Sequence, residues 1–219
     1  MLYIVSTPIG NLSDISLRAI EILKTCDVIL AEDSRQTRKL LDFLEIKNKK
    51  IEPYYEQVEE QKLSVVSEML EKEMEVVLLT DAGTPLVSDP GFRLVERCRK
   101  KGYPITAIPG PVAVINALVL SGFPMNKFVF LGFLPKRNGK RIKTLQENKF
   151  DGAKVVYESP NRLMELLRNI EEVYGRDSRV CVAREMTKKY EEVKIGLVDE
   201  LLEFYEKKTV KGEITVVFI

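Results

Sequence analysis

Residues 75–91 read EVVLLTDAGTPLVSDPG, a short apolar run that leads directly into a loop rich in turn residues. Val76 to Leu79 are four consecutive apolar residues, which predicts a parallel strand buried on both faces. Two glycines in the following loop allow close backbone approach, and two prolines hold the turns rigid. Open α/β sheets bind ligands in loops at the carboxyl ends of such strands. An ordinary connection is the alternative, but this loop is longer than the usual few residues, so the sequence favours a ligand loop.

Short apolar runs of this kind recur along the chain, and their spacing predicts two domains. Strands alternate with helices in the first half, which indicates a mostly parallel sheet with helices on both faces. The predicted strands there lie at 2–6, 28–31, 50–53, 76–79 and 104–108. The pattern changes between about 109 and 124 to an α+β pattern with a mixed sheet. Its predicted strands lie at 128–132, 154–157, 179–183, 190–195 and 214–219. We therefore predict an α/β fold with domains at residues 1–112 and 113–219.

The composition restricts the chemistry that this chain can perform. Among 219 residues there is no histidine, which removes the usual zinc sites and Ser-His-Asp triads. Acid–base work must then fall to carboxylates, Lys, Tyr or water. The three cysteines are far apart in sequence and form no metal-binding pair, so no metal is expected. No apolar run is long enough to span a bilayer and no leader precedes the first strand, so we expect a soluble, cytoplasmic protein.

Four loops follow strands of the first domain, at 7–12, 32–38, 81–91 and 109–113. Because the carboxyl ends of parallel strands share one sheet edge, we expect these loops to converge. None carries a GxGxxG or P-loop lysine motif, which argues against NAD-dependent and ATP-dependent chemistry. The second loop contains the acidic pair Glu32-Asp33, and Arg35 and Arg38 follow it. A carboxylate there could act as a base, or Asp33 could only cap the next helix.

Basic residues gather after strands of the second domain. One group surrounds a flexible Asn-Gly loop, and a second group follows two later strands: Lys136, Arg137, Lys140, Arg141, Arg162, Arg184 and Lys188. A solvated loop and helix face is the commoner reason for such residues. Several basic loops on one domain of a chain with net charge +1 could instead form a local phosphate-binding patch. Both interpretations stay open at this stage.

An ordered set of motifs from Leu2 to Ile219 resembles the ribosomal RNA small subunit methyltransferase I family, within the tetrapyrrole methylase superfamily. These motifs read TPIGNLSDISLRA, AEDSR, DAGTPLVSDPG, PGPVAVINAL, SGFP, GFLPK, YESPNRL and REMTKKYE. The resemblance implies a two-domain tetrapyrrole-methylase-like fold, a homodimer and no membrane association. It also implies an enzyme that uses S-adenosylmethionine to methylate the ribose 2′-hydroxyl of a cytidine in 16S rRNA of the small ribosomal subunit. The family usually has histidine where this chain has Asn161.

Carried over onto matching positions, the resemblance implies a cofactor site built from small residues and backbone. The expected contacts are Pro8, Ala82, Gly83, Thr84, Val87, Pro111, Val112, Ala113, Tyr157 and Ala183. No metal is implied. The resemblance assigns the loop at residues 81–91 to the cofactor. We therefore expect the two acids of that loop, Asp81 and Asp89, to shape it rather than to act as bases.

The ribose hydroxyl must lose its proton during methyl transfer, so a carboxylate and a cation are expected near it. We predict Asp33 or Glu158 as the base, and Arg35, Arg162 or Arg184 as the group that binds phosphate or the alkoxide. Arg38 and the basic residues of the second domain are predicted to contact RNA. Two alternatives are kept: a methyltransferase for a small molecule such as a tetrapyrrole, and a protein that binds cofactor or RNA without turnover.

Overall fold

The computed structural model describes all 219 residues, which divide into two compact units, Met1–Val112 and Ala113–Ile219. Unit 1 alternates five strands with four helices. In chain order these are β1 (Leu2–Val5), α1 (Leu17–Thr25), β2 (Val28–Ala31), α2 (Ser34–Phe43), β3 (Lys50–Pro53), α3 (Glu59–Glu71), β4 (Val76–Leu79), α4 (Phe92–Lys101) and β5 (Ile105–Ile108).

The five strands of unit 1 form one parallel sheet in the order β3-β2-β4-β1-β5. All five therefore end at the same sheet edge, and the four predicted loops begin there. β2 and β4 are buried along their whole lengths, as their unbroken apolar runs predict.

Alternate residues of these strands enter two separate cores, because successive side chains point to opposite faces of a sheet. Leu78 packs on one face with residues of α3 and α4, including Val66 and Leu94. Val77 packs on the other face with residues of α1 and α2, including Leu23 and Leu41. Helices thus cover both faces of the sheet, and functional residues reach solvent at its edges.

Unit 2 begins with a helix and continues with five strands and three further helices. These are α5 (Ala113–Ser121), β6 (Phe128–Phe133), α6 (Asn138–Glu147), β7 (Ala153–Glu158), α7 (Leu163–Tyr174), β8 (Arg179–Arg184), β9 (Glu192–Leu197), α8 (Val198–Glu206) and β10 (Ile214–Phe218). The strand order is β6-β7-β10-β8-β9. Only the β6–β7 pair is parallel, so the sheet is mixed, as predicted.

One feature of unit 2 places its loops. β10 runs antiparallel between β7 and β8, and Ile214 at its start pairs with both Glu158 and Arg184. The ends of β7 and β8 and the turn before β10 therefore share one edge of the sheet. The helices α6, α7 and α8 supply the main core, where Leu145, Leu166 and other apolar side chains are fully buried.

The first helix is preceded by two residues of the type that cap helices, Ser13 and Asp14, but neither caps it. A short 3-10 turn occupies Leu12–Asp14, and α1 begins only at Leu17. The side chain of Ser16 instead accepts a hydrogen bond from the Ala19 amide at 3.1 Å and caps α1. Several adjacent residues can cap a helix, and the packing of the chain decides between them.

No helix of this chain is both long enough and apolar enough to cross a membrane. Cys26, Cys98 and Cys181 are all buried and free, so none forms a disulfide. Burial raises the pKa of each of these thiols, that of Cys181 to about 11. The three cysteines are therefore core residues.

Candidate functional site

Reciprocal backbone hydrogen bonds join the first and third loops of unit 1. The Thr7 amide donates to the Gly83 carbonyl at 2.8 Å, and the Gly83 amide donates to the Thr7 carbonyl at 3.1 Å. Gly83 has φ +87°, and a Cβ there would lie 3.3 Å from Ile9 Cγ2. The position thus demands a backbone conformation that other residues rarely adopt, which explains the glycine.

Hydroxyl groups join the fourth loop to the same edge. The Ser6 and Thr84 hydroxyl oxygens lie 2.7 Å apart, and the Thr84 hydroxyl donates to the Pro111 carbonyl at 3.1 Å. A Cβ at Gly110 would lie only 2.7 Å from Ser6 Cβ, so this loop can approach β1 only because it has glycine there.

The second loop is held by two acidic side chains. The Asp33 amide donates to Asp81 Oδ1 at 3.0 Å, and the Asp81 amide donates to Glu32 Oε2 at 3.4 Å. All four loops are therefore linked at one sheet edge, and their predicted convergence is confirmed. Asp81 has the loop-shaping role that the sequence suggested.

Asp33 caps the helix that follows it, which was one of the two interpretations of the sequence. Its carboxylate accepts from the Arg35 amide at 2.8 Å and forms a two-pronged ion pair with the Arg35 guanidinium. These bonds from Arg35 lower the pKa of Asp33 to about 2. A carboxylate with so low a pKa is a weak proton acceptor at neutral pH.

Asp89 has the opposite electrostatic environment. Burial and the nearby carboxylates of Glu32 and Asp81 raise the pKa of Asp89 to about 7. Burial also raises the pKa values of Glu32 and Asp81. The three acids lie in the loops after β2 and β4, and only the fold shows that they share one region. Asp89 is thus a candidate base, although the sequence favoured a loop-shaping role for it.

Glu59 fixes the third loop from the side of α3. Its Oε1 atom accepts from the Gly91 amide at 3.2 Å, the Arg93 amide at 3.1 Å and the Tyr54 hydroxyl at 3.2 Å. The carboxylate thereby satisfies amides at the start of α4, where free N–H groups favour a negative charge. The far end of the DAGTPLVSDPG loop is therefore anchored by a buried residue more than 20 positions earlier.

The residues expected to bind cofactor in unit 1 differ in exposure. Pro8 and Gly83 are buried, whereas Ala82 is exposed and Thr84 and Val87 are half-buried. The Ala82 and Thr84 amides have no partner within the protein. Pro111, Val112 and Ala113 are half-buried and lead into the first turn of α5.

These features fit S-adenosylmethionine, whose carboxylate and ribose hydroxyls can accept hydrogen bonds from backbone amides. Ala82 carries only a methyl side chain and is exposed beside those donors. Because neighbouring loops hold this segment, the Ala82 and Thr84 amides need little rearrangement to bind the cofactor.

In unit 2, β7 ends in an aromatic residue and an ion pair. The Tyr157 ring lies against Phe130 and Phe133, with centroid distances of 4.9 and 5.5 Å. The buried Glu158 carboxylate accepts from the Arg162 guanidinium at 2.7 and 2.8 Å. Both side chains are thus committed to a local pair.

The end of β8 is similarly well connected. The Arg184 guanidinium donates to the Lys211 and Tyr190 carbonyls, both at 3.1 Å, and Lys188 pairs with Glu185 at 2.9 Å. Ala183 is completely buried between β10 and β9. It offers no surface to a cofactor, so it is not retained among the direct contacts.

The basic residues around α6 separate into two kinds. Lys136, Arg137 and Lys140 are exposed, and no ion pair holds them. Arg141 is different, because its side chain is only 1% exposed and contacts Asn169 and Glu165. The prediction that Arg141 binds RNA is therefore corrected: its guanidinium joins α6 to α7. Arg38, on α2 of unit 1, is exposed.

Comparisons with known proteins connect this arrangement to a family. A family model of tetrapyrrole (corrin/porphyrin) methylases matches residues 1–202. Ribosomal RNA small subunit methyltransferase I of Thermotoga maritima is 43% identical over 216 residues, covering 99% of this chain and 96% of that protein. The Vibrio cholerae protein of the same name is 42% identical over 203 residues, covering 92% of this chain and 70% of that protein.

Among solved structures, uroporphyrin-III C-methyl transferase from Thermus thermophilus, complexed with S-adenyl homocysteine, has a TM-score of 0.67 to this chain. It is 18% identical and covers 99% of this chain and 96% of its own. The likeness confirms the predicted tetrapyrrole-methylase-like α/β fold. The full-length relatives confirm the resemblance seen in the motifs. This chain is therefore a member of the ribosomal RNA small subunit methyltransferase I family, within the tetrapyrrole methylases.

Proposed function

We propose that this chain transfers the methyl group of S-adenosylmethionine to the ribose 2′-hydroxyl of a cytidine in 16S rRNA of the small ribosomal subunit. Membership of the family is the observation that carries the proposal. The connected loops of unit 1 support it, because they offer small residues and free amides at the edge where α/β sheets bind ligands. Unit 1 would hold the cofactor loops, and unit 2 would bind RNA.

Methyl transfer from a sulfonium is an in-line displacement, so the main task of the protein is positioning. S-adenosylmethionine supplies the electrophilic methyl group. The Ala82 and Thr84 amides would orient the cofactor, and the bonds of Thr7 and Ser6 would keep that loop in place. Tyr157, which packs against Phe130 and Phe133, stays among the proposed cofactor contacts.

The ribose hydroxyl needs a proton acceptor, and three carboxylates are candidates. Asp33 is weakened by its ion pair with Arg35, and Glu158 is held by Arg162. Asp89, with a pKa of about 7, suits a base that works near neutral pH. We therefore propose Asp89 as the acceptor, and assign Asp33 and Glu158 to positioning Arg35 and Arg162 for the developing alkoxide or a phosphate.

A pH–rate profile tests this assignment. Single-turnover rates of the wild type should rise with an inflection near pH 7, and Asp89→Asn should lose about 10²-fold in rate together with the inflection. Asp33→Asn, which keeps a helix cap, should stay within about threefold. A reversed ranking, with Asp33→Asn slow and Asp89→Asn unimpaired, would return Asp33 to the role of base.

RNA recognition is proposed for the exposed cations. Lys136, Arg137 and Lys140 lie beside each other at the start of α6 and are free to contact phosphates. Contacts to phosphate release counterions, so binding should weaken as salt rises. Arg38, Arg162, Arg184 and Lys188 stay in the proposed RNA-binding set, although the last three already make bonds within the protein.

The decisive experiment uses methyl-labelled S-adenosylmethionine and small subunits from cells that lack this methylation. Label in 16S rRNA, mapped to a cytidine ribose, is the expected result. Label in uroporphyrinogen III but not in rRNA would favour a small-molecule methyltransferase. Cofactor or RNA binding without any transfer would favour a binding protein.

We also propose a homodimer that works in the cytoplasm, where small subunits are assembled. Large apolar side chains such as Leu17, Phe92 and Val119 are 81%, 67% and 61% exposed, and the proposed second copy would cover some of this apolar surface. Light scattering of the purified chain should give twice the mass of 25.1 kDa.

A further inference from the structure

Unit 2 contains a pocket of about 400 Å³ beside the end of β8. Its volume falls in the range of small-molecule sites, about 300 to 1,000 Å³. The residues that give it its chemistry are Arg184, Tyr190, Glu192, Tyr205, Lys208 and Lys211. None of the family motifs used above accounts for Tyr205, Lys208 or Lys211.

Arg184 holds the walls of the pocket together. Its guanidinium donates to the carbonyls of Lys211 and Tyr190 at 3.1 Å, and Nε lies 3.6 Å from the Glu192 carboxylate. One side chain thus ties together the turn before β10, the segment before β9 and β9 itself. Since its N–H groups are used in this way, Arg184 shapes the pocket rather than presenting a free charge.

The turn before β10 is also shaped by glycine. Gly212 has φ +93°, and a Cβ at this position would overlap the Glu185 side chain. Glu185 in turn accepts from the Glu213 amide at 2.9 Å and from Lys188 at 2.9 Å. The wall that carries Lys211 is therefore held in place in the absence of any ligand.

The polar groups of the pocket differ in how many hydrogen bonds and ion pairs they already make within the protein. The Glu192 carboxylate accepts from Lys208 at 3.1 Å and from the Tyr205 hydroxyl at 3.4 Å. By contrast, the Lys211 ammonium makes no hydrogen bond or ion pair within the protein. Tyr190 is 66% exposed, and although the Lys189 ammonium lies 5.6 Å from its ring centroid, much of the ring faces solvent. The pocket thus combines the free ammonium of Lys211, the exposed ring of Tyr190 and the Glu192 carboxylate, which already accepts hydrogen bonds from Tyr205 and Lys208.

This combination matches a nucleotide better than other ligands. Unpaired bases stack on aromatic rings, phosphates pair with lysine, and a carboxylate can accept from the exocyclic amine of cytosine. We propose that the pocket is a subsite for one unpaired nucleotide of the RNA substrate, with its base against Tyr190 and its phosphate at Lys211. The inference rests on the proposed rRNA methyltransferase function and adds a second point of RNA recognition to it.

The test measures methyl transfer to small subunits that lack the modification. Tyr190→Ala should raise KM for subunits about 5- to 20-fold, because stacking on one ring is lost. Lys211→Ala should raise KM about 3- to 10-fold. It should also lower the slope of log KM against log salt concentration by about 1, which corresponds to the loss of one phosphate contact. In both variants kcat at saturating subunits and Kd for S-adenosylmethionine should stay at wild-type values.

Matched variants separate this role from a general change of charge or stability. Tyr190→Phe keeps the ring and should restore the wild-type KM. Lys207→Ala removes an exposed lysine next to Lys208 that does not line the pocket, and should behave as the wild type. Because Tyr190 and Lys211 are exposed, their variants should fold normally.

Three results would overturn the proposal. If Tyr190→Ala and Lys211→Ala both matched Lys207→Ala, the pocket would have no part in subunit recognition. If free cytidine monophosphate bound the wild type as tightly as subunits do, the pocket would be a small-nucleotide site. If the wild type itself methylated no subunit, the proposed function would fail, and this inference would fail with it.

Discussion

Replacing Asp89 with asparagine should stabilise the protein, and the gain should depend on pH. Burial and two neighbouring carboxylates raise the pKa of Asp89 from 3.8 to about 7 in the folded chain. Between these values the folded state binds more protons than the unfolded state, so stability falls as pH rises. The stabilising contribution of the protonated form is complete below about pH 4 and is lost as pH passes about 7. Asparagine has no charge to bury and avoids this loss.

The magnitude follows from the size of the shift. About three pKa units at 1.36 kcal/mol each give a ceiling of about 4 kcal/mol. Asp89 is half-buried, and solvent screening should reduce the effect to about 2 kcal/mol. The advantage of Asp89→Asn over the wild type should therefore grow from about 1 kcal/mol near pH 4.5 to about 2 kcal/mol at pH 8.

Urea unfolding followed by circular dichroism at pH 5, 6, 7 and 8 would measure this difference. Asp42→Asn, at an exposed position of α2, is a suitable control for the loss of one carboxylate. A constant difference between Asp89→Asn and the wild type would refute the reasoning. So would a variant that is less stable than the wild type at pH 8, because Asp89 would then be favoured in its charged form.

Three further predictions concern the buried Glu59, the buried Arg141 and the exposed cations at the start of α6. Glu59→Ala should lower the free energy of unfolding in urea by about 2 to 4 kcal/mol, because it leaves buried hydrogen-bond donors unpaired. It should also raise Kd for S-adenosylmethionine. In the control Glu59→Gln, the loss of unfolding free energy should be less than half as large. Arg141→Ala should lower the free energy of unfolding by about 3 kcal/mol, whereas Lys140→Ala at the neighbouring exposed position should change it by less than about 0.5 kcal/mol. Equal effects of the two substitutions would show that Arg141 is not a core residue. Replacing Lys136, Arg137 and Lys140 together by alanine should weaken subunit binding and lower its salt dependence by about two to three contacts, while calorimetry shows unchanged cofactor affinity.

Strands were the easiest elements to predict from the sequence. β2 and β4 have the ends that their apolar runs indicated, because a strand buried on both faces needs apolar residues throughout and turn residues stop it. The convergence of the four loops also followed from the alternation of strands and helices, since a parallel sheet places all its carboxyl ends together.

Side-chain environments were harder to predict, because partners distant in sequence set them. Arg141 looks like its exposed basic neighbours, and only α7, which carries Asn169, shows that it is buried. Asp33 and Asp89 are both acids in loops, yet one meets Arg35 and the other meets two carboxylates. Local sequence gives no sign of this difference, which reverses their suitability as bases.

The paired amides of Thr7 and Gly83 have a consequence for hydrogen exchange. Loops at ligand sites usually open easily, but each of these two amides donates to the carbonyl of the other residue, across neighbouring strands. Both should exchange slowly even in cofactor-free protein, at rates close to those of the β1 and β4 amides. Cofactor binding should then slow exchange mainly at Ala82 and Thr84, whose amides are free. This edge of the sheet would act as a fixed platform for the methyl donor, and cofactor entry and release would proceed without unfolding it.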